Sequence, residues 1–245
     1  VWYARIGPDH SLGEWRNASP LPFPTAEHDL IYRNGYVYVV GGRTRNPNNI
    51  QLNKVFYAKV NLDGTLGDWR ETYPLGMGAS QHEVVAHGDH IYVLGGEDDP
   101  GFSVRTVYYT GFNEDGSLNH WIETTGLPNK LEGFYADVLG NYVYVVGGSG
   151  FGIRAYKDVW FNKFSSEDGA LGTWINATPL PREVSLIDGF IANNRINIVG
   201  GKLNFNGPGN TIDTTWSAPL DVAVVQRVVG GSSGVGGGDS EVLPE

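Results

Sequence analysis

The chain has 245 residues, with 17 Lys plus Arg against 27 Asp plus Glu and a formal charge of −10. That charge, with no basic stripe to offset it, sets nucleic acid aside as a partner, while 40% hydrophobic and 12% aromatic residues favour a packed core over global disorder. The absence of cysteine removes disulfides, thiolate zinc sites and cysteine nucleophiles together, and no apolar run approaches the ~20 residues that span a bilayer.

In chain order, the first strand-like run is VWYARI at Val1, followed by a turn and Trp15. YVYVV then ends at Gly41-Gly42, VFYAKV starts at Val55, and an Asp63-Gly64 turn precedes Trp69. The next set reads as an inner strand over 80–86, a Gly88-Asp89 turn, 90–94 ending at Gly95-Gly96, 107–112, an Asp115-Gly116 turn and Trp121. A third set runs through YVYVV to Gly147-Gly148, VWFNKF at Val159, Asp168-Gly169 and Trp174. Strands over 186–192 and 195–199 lead to Gly200-Gly201, and a degenerate copy, TWSAPL, starts at Thr215. Asn-Gly and Asp-Gly pairs suit hairpins because both residue types tolerate positive φ. Tyr, Val, Phe and Trp suit half-buried strands. No stretch carries capped helical periodicity.

The four tryptophans recur 54, 52 and 53 residues apart (15 to 69 to 121 to 174), each followed six residues later by Leu21, Leu75, Leu127 or Leu180. Four strands per unit of ~50 residues is the pattern of a β-propeller blade. The apolar strand ending in Gly-Gly, the Tyr-containing strand and the later Trp resemble the kelch repeat. The segments DHSLGEW (9–15), DGTLGDW (63–69), DGSLNHW (115–121) and DGALGTW (168–174) are similar to a bacterial kelch-like variant. The resemblance covers residues 1 to about 221 and implies an all-β, kelch-like propeller of four-stranded antiparallel blades. It says little of function, since one propeller fold hosts many activities.

Residues 1–17 read as the third and fourth strands of a blade. They either complete the last blade and close a four-bladed ring, or the ring has five or more blades, which the extra TWSAPL copy favours. Two regions are expected: the propeller over 1–221, and a tail over 222–245. The tail holds an apolar run (VAVVQRVV) and a Gly/Ser stretch that reads as a flexible tether. Opening on Val1 with no signal-like segment, the chain reads as a processed form or fragment of a longer protein.

The short Asx-Gly turns share one face of the ring. The opposite face receives long loops that differ between blades: 43–54, 97–106, 149–158 and 202–214 after Gly-Gly, and 19–27, 73–80, 126–132 and 178–185 after the Leu-Pro position. Such loops on a rigid ring are where binding sits. The residues there that packing does not demand are Arg43, Arg45, Glu97, Asp99, Phe102, Arg105, Phe151, Arg154, Lys202 and Phe205. Arg with aromatic rings suits a polar ligand, a glycan or a protein loop. Arg43, Arg45, Phe102, Arg154 and Phe205 are the expected anchors.

Other features have plainer readings. His28 and His82 share a repeat offset that Phe134 and Ile187 fill elsewhere, so packing is expected, not a metal site. Glu97-Asp98-Asp99 reads as a solvated acidic loop, because Ca²⁺ needs six to eight oxygens. The four repeated Trp read as packing, not as sugar platforms. Asn17-Ala18-Ser19 and Asn176-Ala177-Thr178 match the glycosylation acceptor pattern by coincidence of a short motif. No phosphate loop or nucleophile elbow is present. Among kelch propellers, galactose oxidase needs a cysteine cross-linked to tyrosine for its copper, which this chain lacks.

The expectation is therefore a non-catalytic binding or scaffolding module without cofactor. Its partner would be a protein or glycan surface, its setting extracellular or cell-surface, its context a longer bacterial chain. The alternative is a carbohydrate-active enzyme of the sialic-acid mutarotase kind, which an Arg–carboxylate pair in an axial pocket would favour.

Overall fold

The computed structural model describes residues 1–44, 50–151, 154–203 and 211–220. Arg45, Phe205 and the tail from residue 222 lie outside them. Every regular element among the described residues is a strand.

The chain opens with β1 (Trp2–Tyr3) and β2 (Arg16–Asn17), which pair only with each other. The first blade follows: β3 (Asp29–Arg33), β4 (Tyr36–Val40), a loop hairpin β5 (Arg43–Thr44) and β6 (Ile50–Gln51), then β7 (Val55–Lys59) and β8 (Arg70–Glu71). Its sheet order is β3-β4-β7-β8. The second blade is β9 (Glu83–His87), β10 (His90–Leu94), β11 (Val107–Gly111) and β12 (Ile122–Thr124). The third is β13 (Tyr135–Leu139), β14 (Tyr142–Val146), a hairpin β15 (Ser149–Gly150) and β16 (Arg154–Ala155), β17 (Val159–Lys163) and β18 (Ile175–Asn176). The fourth has three described strands: β19 (Asp188–Ala192), β20 (Arg195–Val199) and β21 (Thr215–Pro219). All pairings are antiparallel, as tight hairpins require. The inner strands β3, β9, β13 and β19 pack side by side in that order. These are the expected propeller blades.

The TWSAPL copy has a definite place. It is β21, paired in register with β20 from Arg195↔Pro219 to Val199↔Thr215. Residues 1–17 therefore do not complete the last blade.

The core lies between blades. Tyr38, Val40, Val55 and Tyr57 of the first face Ile91, Val93 and Leu118 of the second. Tyr92, Leu94, Val107 and Tyr109 face Val143, Val145, Phe164 and Leu171 of the third. Tyr144, Val146, Val159 and Phe161 face Ile196 and Ile198 of the fourth.

The Gly-Gly pair is a steric requirement. Its second member has φ of +92, +93, +89 and +108° at Gly42, Gly96, Gly148 and Gly201. A Cβ there would come within 2.8 Å of His28, 2.7 Å of His82, 2.6 Å of Phe134 and 2.5 Å of Ile187. The residue at that shared offset lies against the glycine backbone, whatever its chemistry. This is the packing role expected for both histidines.

Three of the four repeated tryptophans reach back to the repeat unit that precedes their own. Trp69 Nε1 donates to Ser19 O (3.0 Å), Trp121 to Tyr73 O (3.0 Å) and Trp174 to Thr125 O (3.3 Å). Trp15 departs from the expectation: it is 62% exposed, because no blade among the described residues stands before it.

Candidate functional site

The long-loop face is tied together at its base. Glu27, Gln81 and Leu186 adopt left-handed φ of +56, +52 and +50°, and Gly133 one of +55° at the same repeat offset. This conformation turns their backbones toward one another around the axis. Gln81 N–H donates to Glu27 O (3.0 Å), Gly133 N–H to Gln81 O (3.1 Å) and Leu186 N–H to Gly133 O (2.7 Å).

Beneath this line is the mouth of the axial opening, a cavity of about 220 Å³ lined by Glu27, His28, Asp29, Gln81, His82, Glu83, Gly133, Phe134, Leu186 and Ile187. Its histidines are shifted toward the neutral form: burial lowers His28, and burial pushes His82 down to about 4. Its carboxyls are pushed the other way. Burial raises Glu83 well above the carboxylate range, with repulsion from Asp29 adding to it, and burial also raises Asp29. Both acids serve as staples between inner strands. Asp29 Oδ2 accepts from Val84 N–H (2.6 Å), and Glu83 Oε2 from Ala136 N–H (3.3 Å).

On the rim, the residue after each Gly-Gly pairs back to its own blade: Arg43 with Ala26, Glu97 with Ser80, Ser149 with Glu132, and Lys202 with Ser185. Arg43 is no free anchor. Its guanidinium is bound by the Glu27 carboxylate and lies 3.9 Å from Glu97 Oε2. Burial raises the Glu97 carboxyl, repulsion from Glu132 adds to this, and Arg43 opposes it. Arg43 thus neutralises its own neighbourhood.

Phe102 and Phe151 behave differently. They come from neighbouring blades, are 53% and 49% exposed, and meet edge to face with ring centroids 6.1 Å apart. The Lys130 ammonium sits 5.1 Å above the Phe151 ring. A buried relay fixes the pair: Ser103 Oγ donates to Glu132 Oε2 (2.6 Å) and accepts from Phe151 N–H. Glu132 is buried, so neither loop moves without breaking that relay. Asp98 Oδ1 also accepts from Phe102 N–H (2.9 Å).

The remaining expected residues scatter. Asp99 and Arg154 are exposed on their loops, and Lys202 is half-buried between Ser185 and Thr211. Arg105 is exposed, but its carbonyl receives Leu127 N–H, which places it toward the Leu-Pro segment. Sequence reasoning missed Glu27, Ser103, Lys130 and Glu132. For Glu132 a signal existed: it stands at the repeat offset of Ala26, Ser80 and Ser185, opposite the residue after Gly-Gly. Among the described residues no group of three or more His, Asp or Glu is placed to hold a metal ion.

No protein-family model matches the chain. It is 33% identical over 86 residues to "Kelch repeat and BTB domain-containing protein 12" of Danio rerio, covering 34% of this chain and 14% of that protein. It is 30% identical over 81 residues to "Kelch-like protein 13" of Homo sapiens, covering 33% and 12%. It is 25% identical over 209 residues to "Beta-scruin" of Limulus polyphemus, covering 84% and 22%. The chain thus spans less than a quarter of each of these relatives. Among solved structures, "Structure of YjhT" superposes with a TM-score of 0.55 at 14% identity, covering 85% of this chain and 86% of the other, which is a likeness of fold. With its repeated Gly-Gly strands, four successive antiparallel blades and kelch relatives, the chain is a kelch-repeat β-propeller.

Proposed function

We propose that this propeller is a non-catalytic binding module that engages a protein surface through its long-loop face. The observation that carries the reading is the Phe102–Phe151 pair, exposed on both rings and held by buried polar bonds. Exposed aromatics held rigid lose little entropy on association, and such anchors dominate interface energetics. The kelch-like relatives support a protein partner over a glycan. An extracellular or cell-surface setting within a longer bacterial protein is part of the proposal. Acidity and the lack of cysteine agree with it, and reading the full gene would test it.

The test is alanine substitution at both rings. F102A/F151A should weaken partner binding by about tenfold or more, while T65A, in the Asp63-Gly64 turn on the opposite face, should leave it intact. Equal loss from both, or none from the ring variant, overturns the reading. Binding on a glycan array that the same double variant abolishes would assign a sugar instead.

One observation favours the mutarotase reading: an Arg43–Glu27 ion pair stands beside the axial mouth. Against it, the guanidinium is already engaged by carboxylates and is not among the cavity's lining. Accelerated anomer exchange of sialic acid, read by NMR and lost in R43A, would establish that activity.

A further inference from the structure

At each boundary between complete blades, the later blade pushes a plug into the earlier one. Its parts repeat. A tyrosine of the earlier blade donates to the plug's turn glycine: Tyr38 OH to Gly116 O (2.8 Å), Tyr92 OH to Gly169 O (2.7 Å). The plug's leucine N–H is accepted by a threonine: Leu118 by Thr72 Oγ1 (2.7 Å), Leu171 by Thr124 Oγ1 (2.8 Å). Leu118 is left only 2% exposed. The plug's Trp then reaches the carbonyl of Tyr73 or Thr125.

Between the third and fourth blades the same place is a groove of about 620 Å³, lined chiefly by apolar side chains that include Tyr144, Phe161, Ile175, Trp216 and Leu220. Tyr144 stands where Tyr38 and Tyr92 stand, and Thr178 where Tyr73 and Thr125 stand. Leu220 occupies the offset of Phe112 and Phe164. No leucine or tryptophan plug enters this groove among the described residues.

The chain carries one plug that fills nothing. In residues 7–15, Gly7 N–H donates to Ser11 O (2.8 Å), and Asp9 Oδ1 accepts from Ser11 N–H (3.1 Å) and Oγ (2.6 Å). The same bonds shape the second-blade plug: Asn113 N–H to Ser117 O (2.8 Å), and Asp115 Oδ1 with Ser117 N–H (2.9 Å) and Oγ (2.6 Å). Yet Leu12 and Trp15 are 63% and 62% exposed.

We propose that the groove between the third and fourth blades is a socket for the N-terminal hairpin of a second copy of this chain. The chain's own hairpin is held elsewhere: Trp69 Nε1 binds Ser19 O on the first blade, and β19 makes no packing against β3 comparable with that between successive inner strands. The incoming Val1–Ile6 run repeats 215–220 and takes the place of β21 on β20. Trp2 and Ile6 then stand where Trp216 and Leu220 line the groove. Trp15 Nε1 then meets Thr178 O, Leu12 enters the apolar groove, and Tyr144 OH meets the carbonyl of His10. One misfit remains. A Cβ at Gly116 would come within 2.6 Å of the Tyr36 ring, so His10 has to displace the corresponding Tyr142. The contact is head-to-tail and adds copies in series.

Light scattering on the full chain across a dilution series tests this. The expected result is concentration-dependent assembly, weakened about tenfold or more by L12A/W15A and tightened by H10G. Leu12 and Trp15 are exposed, so their loss leaves the fold intact. A socket-filled variant, A177W, should not self-assemble, but should form a one-to-one dimer with L12A/W15A. A chain that stays monomeric at every concentration, whether Trp15 is exposed or folded onto its own groove, overturns the proposal. So does assembly that L12A/W15A leaves unchanged.

Discussion

The indole Nε1 of Trp121 donates to the backbone carbonyl oxygen of Tyr73, 3.0 Å away across a blade boundary. Forty-eight residues separate the two in sequence, so the bond is the repeat acting at long range. Each blade's outer hairpin satisfies a carbonyl that its neighbour leaves open. Trp69 and Trp174 do the same on either side.

Trp121 and Trp15 occupy the same repeat position and should respond differently. W121A removes a half-buried ring and its hydrogen bond, at a cost of roughly 2–3 kcal/mol. W15A, in protein dilute enough to keep copies apart, should stay within about 0.5 kcal/mol of the parent. Urea denaturation of both variants checks this. Equal losses would mean that Trp15 is packed.

Two turn glycines should also separate. Gly88 has φ of +55° with nothing within 4 Å of a new Cβ, so G88A pays only the left-handed backbone cost, about 1 kcal/mol. At Gly96, with φ of +93°, a Cβ would meet Ser80 O at 2.5 Å and His82 Cβ at 2.7 Å. G96A should lose about 3 kcal/mol or more, or fail to fold. Similar melting temperatures for the two variants would contradict the steric reading of the Gly-Gly pair.

What the sequence made legible is what the repeat imposes. Strand pairs, Gly-Gly ends and Asx-Gly turns all follow from fixed offsets, because every blade solves the same packing problem; the pairing of TWSAPL with β20 stays open in the sequence, because the same copy also suits an additional blade. The candidate site breaks the period, and that hides it. Arg43 looked like a free anchor because its partners Glu27 and Glu97 lie 16 and 54 residues away on different loops, at offsets no other blade fills with acids. The relay of Ser103, Glu132 and Phe151 likewise joins two non-repeating loops. Phe102 and Phe151 were legible as unexplained aromatics; their mutual contact was not.

The axial mouth should make stability depend on pH. Burial, then repulsion from Asp29, raises the Glu83 carboxyl in the folded state. A folded-state pKa above the unfolded value means that the folded chain holds the proton more tightly. Glu83 therefore contributes fully below the ordinary carboxylate range, and that contribution is lost as pH rises through the raised value. Asp29 acts in the same direction. E83Q keeps an acceptor for Ala136 N–H and removes the buried charge. It should raise the melting temperature at neutral pH, with the gap closing as pH falls into the carboxylate range. A lower melting temperature at neutral pH would show that the charge is favourable there.

The long-loop face is tested most directly by placing a photo-cross-linking residue at Phe102, at Phe151 or, on the opposite face, at Asp115, and illuminating each chain in extract of its source. The account predicts a discrete cross-linked protein from positions 102 and 151 and none from 115. A product from 115 with none from 102 and 151 would contradict it.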